Sequence, residues 1–593
     1  MIILSDADDS NVLGPPDQVE GCVREIHRIF AEKGMHLKKS DMLLGSRISE
    51  QDPDGTTTAA ILTNFEAIIG AGKVTMADTG IIAGAANAYP DGIRIVGTPI
   101  GSKEYAAEYV ETQIRKHSER LSHVKTLGRV SVQAALLLIH WCCIPRLNYL
   151  MQTVPYRVAP AAYERGRDEI VNLWRETIGV SDEMMAGYGV QELISQPFKF
   201  GGQQLLNFKS LGNAALVGCM AAVAADIKSA VHGLQDLGDE DTPIPRWGSF
   251  YLVHEELGAE GEDVRAVLPD IEEIFEDTTP RLQGTILAAI HATVFEKMHH
   301  GPGDANELSF NREARWATIR SRSQVGAMDW HTAAGYHKGL ILSNDQARRT
   351  VLNECGMKQP GLASGYENRS LNDMTSAEVA KVVGHHALNQ ASTGLGGFLS
   401  SHNGLVSCLE TIVDSCNLRS LKQLSGRLGS NPGSSVDTQG DLLIIGVDPS
   451  NNGIMVDVSI TNCVTGQGRA KGQAAQVTGH AADQVLTKKT NRYKNLCRDN
   501  AMESCWFVAE TTGGLSQPAI DLLKRLAKHI DIHRLSARDT PNALAGRRYR
   551  QWLQAISITR AKTNADRLRG AAAEATANAT VPRHHAAALL SQF

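Results

Sequence analysis

The chain has 593 residues, 42% of them hydrophobic, with 59 basic and 65 acidic residues and a net charge of -6. That length suits roughly three to five domains, and the charge balance excludes the simplest mark of a nucleic-acid binder, a basic chain overall, so phosphate contact requires a local patch. The ten cysteines are scattered with no CxxC pair, which excludes a disulfide framework and points to a reducing compartment, nucleus or cytoplasm.

Residues 1–45 read as strand, turn, strand, helix, strand. "MIILSDADDSNVLG" has a hairpin pattern, and Val19, Val23, Ile26 and Phe30 follow at helical spacing before Gly34. The adjacent acids Asp8 and Asp9 at the hairpin tip suit a magnesium ion, and they equally suit an ordinary polar turn. "GIRIVGTPIGS" (92–102) reads as a short strand entering a turn. Long helices then dominate to about residue 235, among them the nearly all-apolar "VSVQAALLLIHWCCIPRLNYLMQ", read as a core helix. No apolar run reads as long enough to span a bilayer, so no membrane partner is expected.

The acidic "QDLGDEDTPIPRWG" (235–248) reads as a linker, with further helices to about 350. Loop-rich boundaries follow at 356–376 and 427–440. Beyond them, strand, turn, strand, helix (475–497), strand (504–511) and helix (516–530) suggest an α/β unit around one sheet. The segment 547–570 carries seven Arg or Lys, suited to phosphate contact or to a solvated helix face. The whole reads as multidomain, mostly α with α/β parts.

Five segments in order, "ADDSNVLGPP" (7–16), "KGMHLKKSDMLL" (33–44), "IRIVGTPIGSKEY" (93–105), "CCIPRLNYLMQTVP" (142–155) and "ISQPFKFGGQQLLNFKSLGNAALVG" (194–218), resemble the late palm and thumb of reverse transcriptases from non-LTR retrotransposons. The resemblance implies a partial palm and primer-grip hairpin over 1–104, a helical thumb over 105–235 and a helical connector over 236–355. Asp8 and Asp9 then match catalytic metal ligands, although Asp6 stands where the family has an aromatic residue. The family's fingers and its first metal-binding Asp precede this signature, so a polymerase remnant without DNA synthesis of its own is expected.

"VVGHHALNQASTGLGGFLSSHNGLV" (382–406) is similar to the zinc-binding segment of the same elements. A degenerate zinc-finger-like segment over 356–426 follows, with His386 and His402 as candidate zinc ligands. Gln390 stands in place of a family Cys, and Cys355 is the nearby thiol, a donor set poorer than structural zinc requires.

"GDLLIIGV", "GIMVDVSIT", "LTKKTNRYKN" and "CWFVAETTGG" resemble the restriction-enzyme-like endonuclease of these elements. That implies a PD-(D/E)xK-like nuclease domain over 427–535 and a basic helical tail over 536–593. Asp441 matches the first acid, Asp457 the second and Lys489 the helix-borne lysine, with Glu510 as an accessory acid. Gly440 replaces the usual Pro. The implied cofactor is Mg²⁺ or Mn²⁺, and the implied partners are DNA and the element's RNA, with Arg547, Arg548 and Arg550 gripping nucleic acid. Without the resemblance, the same acids read as a strand cap and a surface ion pair. Metal-dependent DNA cleavage is the expected chemistry; the competing expectation is a nucleic-acid-binding remnant that cuts nothing.

Overall fold

The computed structural model describes residues 2–6, 9–13, 42–44, 74–76, 92–95 and 98–101, isolated positions between 21 and 32, and then 103–185, 189–235, 248–276, 281–300, 309–333, 338–366, 369–389, 397–422, 440–448, 450, 452–529 and 540–580. The chain is mostly helical with one small mixed sheet. It forms two compact units, one of residues 1–119, 146–166 and 208–287, the other of 120–145, 167–207 and 288–593.

In the first unit, β1 (Ile2–Asp6) and β2 (Asp9–Leu13) pair antiparallel with Asp6 opposite Asp9. Asp8 itself lies outside the described residues. Strands β3 (Met42–Leu44) and β4 (Val74–Met76) run parallel, and β5 (Gly92–Ile95) pairs antiparallel with β6 (Thr98–Gly101) as a second hairpin. Helix α1 (Lys103–Val130) follows. Helix α2 (Val132–Leu138) runs through one π turn, Ile139–Cys143, into α3 (Ile144–Thr153).

Together Val132–Thr153 make 22 apolar-rich helical residues, long enough by length and composition to cross a bilayer, which corrects the expectation that no run reaches that length. Half of that stretch is buried inside the protein. Helices α4 (Pro160–Ile178), α5 (Phe208–Gln235) and α6 (Gly248–Gly258) come next. In α5, Gly218 allows close approach to Gln283, whose Cβ would lie 2.5 Å from an added Cβ. Gln283 also donates to Asn148 at 3.0 Å and accepts from Gln152 at 3.3 Å.

The chain has already passed through the second unit at 120–145 and 167–207, α2 included, and α7 (Leu282–His300) returns it there, followed by α8 (Ser309–Arg322) and α9 (Asn344–Glu354). A capping box starts α9, Ser343 accepting from Gln346 N–H while the Gln346 side chain accepts from the Ser343 N–H. The same device, Thr375 with Glu378, starts α10 (Ser376–Val383). Gly384, at φ +103°, then turns the chain into α11 (His385–Asn389) in a conformation that L side chains resist. At the end of α9, Glu354 is buried and accepts from Trp330 Nε1 at 2.7 Å, His331 Nε2 at 2.9 Å and Gln203 Nε2 at 3.1 Å.

Next come α12 (Gly397–Ser415), β7 (Arg419–Lys422), β8 (Leu442–Ile445), β9 (Ile454–Thr461), α13 (His480–Asp499), β10 (Glu503–Glu510), α14 (Gln517–Lys528) and α15 (Pro541–Thr580). The four strands form one sheet in the order β10-β9-β8-β7. Pairing is antiparallel from β7 to β9 and parallel between β9 and β10, with α13 as the crossover. The sheet begins upstream of residue 427, since β7 is one of its strands.

Ile454, Val456 and Val458 of β9 pack with Leu405 and Leu409 of α12, Leu523 and Leu526 of α14, and Trp552 and Ile556 of α15. Met455 faces the other way, toward Ala482, Tyr493 and Cys497 of α13. This alternation is the period-two geometry of a strand, and here helices cover both faces.

The basic segment at 547–570 is largely a core helix. Arg547 and Arg550 are exposed and Arg548 is half-buried. Arg560 and Arg567 are each 1% exposed: Arg560 donates to the carbonyl of Glu510, and Arg567 to those of Ala387 and Leu388. Burial pulls Arg560 down to about 9 and Arg567 to about 10.

Candidate active site

The site follows from register. Leu442 of β8 pairs with Val456 of β9, and Asp441 N–H donates to the Val456 carbonyl at 3.0 Å. One step outward, Asp441 therefore stands opposite Asp457. Both share the side-chain parity of Leu443 and Met455, which face α13. Asp457 is 5% exposed and pairs in register with Trp506 of β10.

Helix α13 brings Lys489 over this floor, and its ammonium donates to Asp457 Oδ2. The neighbouring residue fixes the helix in place: Trp506 Nε1 donates to Thr490 Oγ1 at 2.9 Å, and the Tyr493 and Trp506 rings lie 5.3 Å apart. From α12, which packs on the opposite face of the sheet to α13, His402 places Nε2 3.1 Å from Asp441 Oδ2, which also accepts the Val458 N–H at 2.7 Å.

Electrostatics separate the two acids. Burial pushes Asp457 up to about 6, opposed by the Lys489 charge and reinforced by Asp441. Burial also raises Asp441, but the His402 hydrogen bond and charge, the Val458 N–H and a hydrogen bond from Asp457 together hold it below the usual carboxylate range. Two carboxyl groups in hydrogen-bond contact share a proton because both cannot ionise cheaply. A hard divalent cation can take that proton's place, and the oxygen donors suit Mg²⁺ or Mn²⁺.

Glu510 does not join this group. It lies at the far end of β10, opposite Thr461 rather than Asp457. Its carboxylate accepts from Ser321 Oγ, from Gln324 Nε2 at 3.0 Å and from Ala482 N–H, in the first turn of α13, at 3.1 Å. Burial raises its pKa. This is a locking acid at a helix start.

The two histidines of the zinc-like segment have different partners. His386 Nδ1 meets the Gly466 carbonyl at 3.3 Å, whereas His402 belongs to Asp441. Gln390 lies outside the described residues. Cys355 is buried with its thiol pushed up to about 12, and it lines a cavity of about 410 Å³ with Arg322, Lys358 and His385. Among the described residues, the one metal-type cluster of three His, Cys, Asp or Glu side chains is Glu296, His299 and His300.

The pairing of His402 with Asp441 was missed in the sequence, though it left a signal. Leu405, Leu409 and Ile412 form the buried stripe of α12, and His402 extends that stripe one turn toward the N-terminus, a polar residue on a sheet-facing side. No family model matches the chain, and no curated protein is significantly similar to it.

Proposed function

We propose that the second unit carries a metal-dependent DNA endonuclease, and that the chain is the C-terminal region of a non-LTR retrotransposon protein. The observation that carries the reading is the convergence of Asp441, just before β8, with Asp457 of β9 and Lys489 of α13. The order α12-β7-β8-β9-α13-β10 around a mixed sheet supports a PD-(D/E)xK-like nuclease fold. The five palm and thumb segments, and not the comparisons, support the retrotransposon ancestry.

In this reading Asp441 and Asp457 hold Mg²⁺ or Mn²⁺, which when bound polarises the scissile phosphate and lowers the pKa of attacking water. Lys489 supplies a positive charge beside the developing phosphorane and hands protons to and from water. His402 keeps Asp441 ionised and turned toward Asp457. Substrate DNA is drawn in by local cations, Arg547, Arg548 and Arg550 among them, because the chain as a whole is acidic. The 3′ hydroxyl released by a nick is the group that primes reverse transcription in such elements.

The test is nicking of supercoiled plasmid by the full chain in Mg²⁺ or Mn²⁺. Nicking by wild type, with none by Asp457→Ala or Lys489→Ala, supports the reading. Equal nicking by wild type and Asp457→Ala, or none by either, overturns it.

A further inference from the structure

We infer that the last turn of α7 is a zinc-type transition-metal site made by Glu296, His299 and His300. These residues stand at i, i+3 and i+4 and so share one face of the helix. Glu296 Oε2 lies 3.3 Å from His300 Nε2 and 3.9 Å from His299 Nδ1, and the two ring nitrogens are 3.2 Å apart. A tetrahedral ion with bonds of about 2.0–2.1 Å holds its ligand atoms roughly 3.3–3.4 Å from one another. The three distances bracket that value, so the ligands need only sub-ångström adjustment.

The surroundings fix the ligands as metal sites do. His299 Nδ1 is turned toward His300 Nε2 and Glu296 Oε2, the orientation a ligating imidazole needs. The Trp316 ring packs edge-on against His299, with centroids 4.8 Å apart. Arg320 is anchored by its own bond to the Ala475 carbonyl at 2.9 Å, and it approaches the other carboxylate oxygen, Glu296 Oε1, at 4.0 Å. It orients the carboxylate and leaves Oε2 for the ion.

The C-terminal end of a helix also favours a cation. Two imidazoles and one carboxylate suit zinc and leave one position open to water or a fourth ligand. The donors differ from the all-oxygen pair Asp441 and Asp457, so the two sites select different ions.

The experiment is Zn²⁺ titration of the EDTA-treated full chain by calorimetry, with Co²⁺ absorption as the ligand probe. Wild type is expected to bind one more equivalent than His299→Ala/His300→Ala, and its Co²⁺ complex to show visible d–d bands without thiolate charge transfer. Glu296→Gln, a change at an exposed residue that preserves the fold, is expected to weaken that equivalent about tenfold or more. Unchanged stoichiometry and affinity in Glu296→Gln, or a thiolate band in the Co²⁺ spectrum, would overturn the assignment.

Discussion

His402 Nε2 and Asp441 Oδ2 meet at 3.1 Å, joining α12 to the start of β8. The hydrogen bond to Asp441 raises the His402 pKa, and the same contact helps lower that of Asp441. A histidine raised on folding contributes stability fully below about pH 6.5, lost as pH rises through its folded pKa. A carboxyl lowered on folding contributes above about pH 3.9, lost as pH falls through its own folded pKa. The pair is therefore strongest between about pH 4 and 6.5. Histidine NMR should show His402 titrating above the ordinary value in wild type and near it in Asp441→Asn; identical titrations would remove the link.

Asp457 gives the opposite sign. Its folded pKa of about 6 exceeds its unfolded value, so the folded state holds the extra proton and stability declines as pH rises from about 4 to 6. Above that window the ionised side chain costs on the order of 2–3 kcal/mol. Urea unfolding in EDTA at pH 8 should find Asp457→Asn more stable than wild type by up to that amount. A less stable variant would contradict the assignment. Addition of Mg²⁺ should reverse the ranking, because the ion stabilises only the ionised site.

Glu510 separates structure from chemistry. Glu510→Ala takes the acceptor from the Ala482 N–H and one of two partners from each of Ser321 and Gln324, at a cost of about 1–3 kcal/mol. Mg²⁺ affinity measured by calorimetry on the folded variant should stay within about twofold of wild type, a change below about 0.5 kcal/mol. A tenfold loss would place Glu510 in the metal site after all.

Helix α15 predicts two classes of arginine variant. Neutralising the exposed Arg547 and Arg550 should change stability by less than about 0.5 kcal/mol while lowering the salt slope of DNA binding by about one for each DNA phosphate that either arginine had neutralised. Arg560→Ala removes a buried donor to the Glu510 carbonyl and should cost about 2 kcal/mol or more. Fluorescence anisotropy across a salt series, beside thermal unfolding, reads both effects.

Much of the sheet was legible. The apolar runs at 442–445 and 454–461 and the turn between them place Asp441 and Asp457 on neighbouring strands, and the register of β8 on β9 puts them opposite each other. Lys489 was legible only through resemblance, because a lysine in the basic run "KKTNRYK" has no periodic signal of its own. Strand β7 was missed for a physical reason. "RSLK" is a short, polar edge strand, exposed at both ends, and edges carry charge where central strands carry valine and isoleucine. The tail misled differently: composition counts Arg560 and Arg567 as surface charge, whereas backbone carbonyls accept from both inside the fold.

The 40 residues of α15 also set an order of events during synthesis. Trp552, Leu553 and Ile556 complete the core beneath the sheet, and Leu568 and Ala572 pack with Ala387 and Leu388 of α11. A ribosome that has released the chain only as far as α14 holds a sheet covered by α12 and α14, with the apolar sides of those helices that α15 covers still wet. The unit closes only after the segment near residue 572 emerges, and a nascent chain stalled at residue 540 should be cut by protease in the sheet that resists cleavage in the released protein.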